Sequence, residues 1–249
     1  MLSAALLLAV VIVLAAGIVA GLTGFGFVLV SAPLLLLLFS PPIVVVVSLL
    51  LNLLASLVVV LDGWRVVQRR TILGLLPGAV LGLVAGGWLL RVLDAAAIKL
   101  LAGLAVMGFA LLVLGGWRLP GARSRWATTV SGVLSGALTP TTGLSGPPIV
   151  LLFTARALPP PPFRATIAGY FVLVDVLGLL PVLTSSGITR AGMGLAGLLT
   201  PTALVGMLLG RRALRHVSQD RFRTGVLVLL LLTGCVAGVS ALATFAGSR

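Results

Sequence analysis

Stretches of about twenty apolar residues follow one another through this 249-residue chain, with short basic connections between them. A run of that length spans the ~30 Å hydrocarbon core of a bilayer as a helix rising ~1.5 Å per residue. With 60% of residues apolar, 8% charged and only four acidic, the chain lacks the polar surface a soluble fold must show to water. The runs are continuously apolar rather than alternating over about ten residues, which predicts helices and not barrel strands. The expectation is an all-α polytopic membrane protein, a single transmembrane domain over 1–249. Met1 to Ala20 has no basic n-region and further spans follow at once, so it reads as mature chain rather than a cleaved signal.

Single spans are expected over 43–61, 71–90, 96–116, 163–183, 191–210 and 224–246. Two longer stretches, 3–39 and 126–157, do not fit one straight helix. The first is interrupted by Gly21, Gly24 and Gly26, the second by Pro140, Gly143, Gly146 and Pro147-Pro148. Prolines remove amide donors and glycines admit dihedrals a helix rejects, so each stretch is expected to form two shorter helices joined by irregular backbone. The interruptions recur at a constant offset of 119: Gly17 with Gly136, Thr23-Gly24 with Thr142-Gly143, Pro41-Pro42 with Pro160-Pro161. The offset defines internal repeats 1–119 and 120–249.

Charge placement separates a crossing element from a returning one. If 126–157 starts and ends on one side, loops 62–70, 117–125, 156–164 and 211–223 share a face. That face then holds Arg65, Arg69, Arg70, Arg118, Arg123, Arg125, Arg156, Arg164, Arg211, Arg212, Arg215, Arg221 and Arg223, and leaves Arg91, Lys99, Arg190 and Arg249 opposite. Such a bias marks the cytoplasmic side, and it dissolves if the element crosses once. The predicted fold is therefore an inverted repeat of two halves, each a broken or re-entrant helical hairpin plus three transmembrane helices, with both termini outside. Secondary transporters are built in this way around a midplane site. The formal charge of +13 serves topology and anionic lipid rather than nucleic acid. Trp64, Trp88, Trp117 and Trp126 near span ends suit the headgroup belt, and the ladder Gly74, Gly78, Gly82, Gly86, with Gly206–Gly210 and Gly234–Gly238, permits close helix crossing.

Unwound backbone in hydrocarbon needs a polar partner for its amides and carbonyls. Residues 21–27 and 140–148 would bring such backbone toward the midplane. Thr23, Ser31, Thr139, Thr141, Thr142 and Ser145 would add hydroxyls, and half-helix N-termini would add amides, for an oxyanion. The bland alternative is that the glycines serve packing and the hydroxyls bond their own helical carbonyls. Asp175 is the one acidic residue far from a span end; it reads as an ion-coupling group or as a neutral acid bonded to a neighbouring helix. Its counterpart at the repeat offset is Ser56, with Asn52 one turn earlier, and Ser48 and Thr166 could line the same path. Asn52 is either substrate-binding or interhelical glue. Arg156 and Arg164 flank the second broken element and could draw an anion to its inner mouth.

No nucleophile motif, metal cluster or phosphate-binding loop occurs, and His216 and Cys235 stand apart, so an enzyme is not expected. No cofactor is implied. A transporter of a small anion, with a proton or counter-ion as partner, is the leading reading; an anion channel and a non-transport membrane scaffold are the alternatives. A homo-oligomer is compatible with the sequence.

Residues 20–33, AGLTGFGFVLVSAP, and their second-half copy over 135–150, SGALTPTTGLSGPPIV, together with the short basic connections and the length, resemble the TauE/SafE sulfite exporter family. The resemblance implies a permease of the bacterial plasma membrane moving sulfite, a sulfonate such as sulfoacetate, or a related anion, by ion-coupled transport. It also implies an anion site around Gly24, Gly26, Gly143, Ser145, Gly146 and Pro147, to which the residue reading adds Thr23, Asn52 and Thr142. The chain departs from the family pattern at Phe27, where a further glycine is common, and at Leu144-Ser145 before Gly146-Pro147.

Overall fold

The computed structural model describes residues 2–115, 121–183 and 189–213. The expected span 224–246 lies outside them, as do Trp117, Arg118, Arg215, His216, Arg221, Arg223, Gly234, Cys235, Gly238 and Arg249. Every regular element among the described residues is helical: α1 Leu2–Thr23, α2 Phe27–Leu35, α3 Pro41–Gly63, a 3-10 turn Trp64–Val66, α4 Arg69–Val92, α5 Ala95–Leu114, α6 Arg125–Thr142, α7 Gly146–Ala155, α8 Pro160–Leu183 and α9 Thr189–Ala213. Helices α1, α3, α4, α8 and α9 are long and apolar enough to cross a membrane. The protein is a polytopic helical membrane protein.

Both long stretches divide where glycine demands it. Gly24 and Gly26 have φ of 79° and 92°, and Gly143 has φ of 77°, a left-handed region that disfavours any residue with a Cβ. The breaks are narrower than the sequence suggests. Gly21 and Pro140 stay inside α1 and α6, and Gly146, Pro147 and Pro148 form the first turn of α7. The proline pair starts a helix rather than ending one, because amides in the first turn have no intrahelical acceptor to lose.

The helix boundaries carry the repeat offset into three dimensions. α1 and α6 end at Thr23 and Thr142, α2 and α7 begin at Phe27 and Gly146, and α3 and α8 begin at Pro41 and Pro160, each pair 119 apart. The two most extensive packing surfaces among the described residues are α4 against α6 and α1 against α9. Both are made by bare backbone. A Cβ on Gly132 of α6 would sit 2.5 Å from the Leu75 carbonyl of α4, and one on Gly17 of α1 would sit 2.7 Å from the Ala203 carbonyl of α9. In hydrocarbon no hydrophobic effect drives helices together, so close backbone approach and its dispersion energy take that role.

The two surfaces correspond contact for contact. Gly82 and Gly86 of α4 face the carbonyls of Val133 and Ala137, while Gly206 and Gly210 of α9 face those of Leu14 and Ile18. The α1 and α6 partners differ by 119, whereas the α4 and α9 glycines differ by 124, as do the helix-internal prolines Pro77 and Pro201. Five additional residues thus lie between the packed cores of α8 and α9. Leu73, Leu81, Val84, Leu180 and Leu198 project outward, as a lipid-facing surface requires, and Trp64, Trp88 and Trp126 are exposed near helix ends.

Candidate functional site

The same local chemistry closes each break. The Thr23 hydroxyl donates to the Val19 carbonyl at 2.9 Å and accepts the Phe25 amide at 3.1 Å; the Thr142 hydroxyl donates to Leu138 at 2.9 Å and accepts the Leu144 amide at 3.3 Å. Thr23 Oγ1 also makes a short contact with the Phe25 carbonyl. The last helical bonds match too, Gly24 N to Ala20 O at 2.7 Å and Gly143 N to Thr139 O at 2.9 Å. Each threonine is therefore a cap that holds an amide left over where its helix stops. Thr139 and Thr141 likewise donate to carbonyls of their own helix, at 2.7 and 2.9 Å. These four hydroxyl protons are already engaged, and an anion would take them only in exchange for a backbone bond.

The hydroxyls without a partner stand elsewhere. Ser31 on α2 and Ser48 on α3 are buried and make no hydrogen bond among the described residues, and the buried Tyr170 hydroxyl on α8 lies beside the Ser135 side chain. Ser48 lies against the second break: a Cβ on Gly143 would be 3.0 Å from Ser48 Cβ and 3.5 Å from Val28 Cγ1 of α2. Gly146 faces Phe171 of α8 and Leu29 of α2, and the Ser135 hydroxyl reaches from α6 to the Ser145 carbonyl at 2.6 Å, fastening the start of α7. Helices α2, α3, α6, α7 and α8 thus converge on Gly143–Pro147.

One turn beyond Ser48, Asn52 Nδ2 donates to Asp175 Oδ2 at 2.7 Å, joining α3 to α8. Asp175 is wholly buried and its Oδ1 has no partner. Leaving one carboxyl oxygen unpaired in an apolar interior costs several kcal/mol unless a proton or polar guest satisfies it. Ser56, at the repeat offset from Asp175, is also buried on α3. Thr166, placed on the same path from sequence, instead accepts the Gln68 amide at 3.0 Å and ties α8 to the start of α4.

The first break meets different neighbours. Gly24 lies under Arg164, where an added Cβ would come within 2.9 Å of Arg164 Cβ, and Gly26 faces Val19 and Thr23 of its own element. Arg164 Nη2 donates to the Gly21 carbonyl at 3.2 Å, while its Nε is buried and unpartnered. Phe27, at the point of departure from the family pattern, is fully buried in the first turn of α2. On the second element, Arg156 at the end of α7 donates Nε to the Ala122 carbonyl at 2.8 Å and Nη2 to Thr128 Oγ1, so α7 ends beside the start of α6.

Tyr170 and Ser135 escaped the sequence reading. Tyr170 is the sole tyrosine of the chain and lies five residues before Asp175 on α8, a spacing that could have drawn notice. Ser135 has alanine at its repeat position, residue 16, so the symmetry that exposed the other polar residues hid this one.

The family model described as sulfite exporter TauE/SafE matches residues 9–237. The probable inner membrane transporter protein TsaS of Comamonas testosteroni is 28% identical over 201 residues, which cover 72% of this chain and 80% of that protein. No solved structure gives a significant match. Since the family match runs through both breaks, the Asn52–Asp175 pair and every helix from α2 to α9, the chain belongs to the sulfite exporter TauE/SafE family.

Proposed function

We propose that this protein is a secondary transporter of the bacterial plasma membrane that moves a small anion, sulfite or a sulfonate being the leading candidates, by alternating access between two inverted halves. The observation that carries this reading is the buried polar group beside the Gly143 break, in which the Ser48 hydroxyl and Asp175 Oδ1, both without a partner among the described residues, accompany the Asn52–Asp175 hydrogen bond. Groups so placed in a membrane interior are costly, and a polar guest or a transported proton offsets that cost. The inner-membrane transporter name of the Comamonas testosteroni relative agrees with the reading.

Inversion is supported by three features. The α4–α6 and α1–α9 surfaces exchange into one another when the halves are swapped, and Arg156 returns the end of α7 to the start of α6 as a hairpin requires. Seven of the nine arginines of 62–70, 121–125, 156–164 and 211–213 gather in two clusters, Arg65, Arg164, Arg211 and Arg212 in one and Arg70, Arg125 and Arg156 in the other. On this reading the clusters mark the cytoplasmic face. Alternating access then consists of one half rocking against the other along glycine-lined helix contacts. Asn52 orients the substrate or its proton, and Asp175 is the coupling group.

Uptake of radiolabelled sulfite, sulfoacetate and taurine into proteoliposomes, with and without an imposed pH gradient, tests the proposal. Saturable uptake of at least one of them that responds to the gradient is expected. Absence of flux for every anion under every gradient overturns the transporter, and unsaturable flux at channel rates replaces it with a pore.

A further inference from the structure

The ends of α3, α8 and α9, with the turn Trp64–Val66, enclose a cavity of about 900 Å³. Among the described residues its wall carries four arginines, Arg65, Arg164, Arg211 and Arg212, against one carboxylate, Asp62. Clefts lined by one sign of charge concentrate ions of the other sign. Two of these arginines are set up differently from the rest. Arg164 is anchored at its tip by the Gly21 carbonyl and at its stem by the bare surface of Gly24, and this leaves its Nε–H buried with nothing to bond. Arg211 donates Nη2 to Asp62 Oδ2 at 2.8 Å, with the two side chains 42% and 50% exposed. An ion pair that open to water is weakly held and exchanges readily. The charges of Arg211 and Asp62 both act on Arg164.

We infer that this cavity is a recruitment site for a small oxyanion, which binds between Arg164 and Arg211, and that Asp62 is its intramolecular competitor, holding Arg211 whenever no anion does. A planar guanidinium suits two oxygens of a sulfur or phosphorus oxyanion, which arrives with the charge that Asp62 presently supplies; the buried Nε of Arg164 packs on Gly24, so the anion meets the part of the guanidinium that faces the cavity. Gly24 then has a role beyond its left-handed turn: it seats the arginine that links the cavity to the first break. The site is separate from the Asn52–Asp175 cluster, and it rests on the transport reading only for the choice of probe.

Full-length protein in nonionic detergent, carrying Trp88→Phe, Trp117→Phe and Trp126→Phe, leaves Trp64 in the cavity wall as the one tryptophan, excited at a wavelength where Tyr170 does not absorb. Titration with sodium sulfite or sodium sulfate at constant ionic strength is expected to change its emission saturably. Asp62→Asn removes the competitor and is expected to lower Kd about two- to fivefold, the range of an exposed ion pair. Arg164→Gln is expected to raise Kd at least about tenfold, with Arg164→Lys in between, as loss of a charge-assisted hydrogen bond implies. Asp175→Asn is expected to leave this Kd within about twofold, the independence of distant sites. A saturable Trp64 response in a parent protein that takes up no anion is failure of the transport reading alone, and uptake without that response is failure of this one. No saturable response in the parent, an unchanged or weakened Kd in Asp62→Asn, or a response to short-chain phosphatidylglycerol without one to either inorganic anion overturns the inference.

Discussion

The hydrogen bond between Asn52 and Asp175 is the most consequential single contact in the interior, and a double-mutant cycle measures it. Asn52 is 3% exposed and Asp175 0%, and among the described residues the 2.7 Å bond is the sole hydrogen bond of that carboxyl group. Asn52→Leu leaves both carboxyl oxygens unpaired, which costs about 3–5 kcal/mol if the group remains charged. Asp175→Leu strands the Asn52 amide in the same apolar surroundings, at about 1–3 kcal/mol. The double Leu variant removes both polar groups, so its cost is expected to fall well below the sum of the singles. Interhelical hydrogen bonds in membranes average only ~0.6 kcal/mol, because unfolded helices also find partners in the bilayer. The complete burial of this pair and its lack of an alternative partner argue for more, a coupling of about 1.5–3 kcal/mol. Unfolding of the purified protein in mixed micelles with rising SDS fraction, followed by circular dichroism, gives the four free energies. Single-variant effects that add to within about 0.5 kcal/mol would show that the carboxyl group finds other partners, and would refute the reasoning.

Three further outcomes follow from particular residues. Gly82→Ala places a methyl group on the Val133 carbonyl and 2.8 Å from the Ala137 amide nitrogen, and is expected to destabilise by about 1–3 kcal/mol; Gly197→Ala, which meets nothing within 4 Å among the described residues, is expected to be neutral or stabilising by up to ~1 kcal/mol through helix propensity. The same SDS titration compares them, and equal effects would remove backbone contact as the basis of the α4–α6 surface. Gly143→Ala combines a left-handed dihedral with a tight approach to Ser48, and is expected to cost about 1–2 kcal/mol for the dihedral alone, with reduced uptake per folded molecule in proteoliposomes. Asp175→Asn is expected to abolish uptake driven by a pH gradient while anion exchange remains measurable; unchanged pH dependence would reduce Asp175 to a packing residue.

Much of the architecture is legible in the sequence because hydrocarbon is a strict solvent. Every backbone amide must be paired, so each long apolar run becomes a helix, and the two runs that cannot pair throughout divide near the positions their glycines announce, Gly24–Gly26 and Gly143. The same Thr-Gly pair ends α1 and α6 by the same hydrogen bonds. Proline was the misleading signal at the second break. Pro147 and Pro148 read as interruptions along a line, whereas in space they open α7, where a missing amide hydrogen does no harm. Of the residues expected around an anion, Asn52 and Asp175 meet directly, and Gly143 meets Ser48. Gly24 meets Arg164 instead, and the threonines turn their hydroxyls back on their own helices.

The sequence by itself determined that this is a helical membrane protein, where its helices break, and which of its rare polar residues lie within apolar spans. Those are properties of local hydrogen bonding and of solvent, and they are written in consecutive residues. Only the tertiary structure decided which polar groups keep a free donor or acceptor, that Ser31 and Ser48 rather than the break threonines lack a partner among the described residues, and that Arg164 lies over Gly24 beside the Asp62–Arg211 pair. Such pairings depend on the register in which glycine-faced helices come to rest against each other. A shift of one turn of α8 or α9 along α3 would change the partners of Asp175 and Arg211 without changing a single helix boundary.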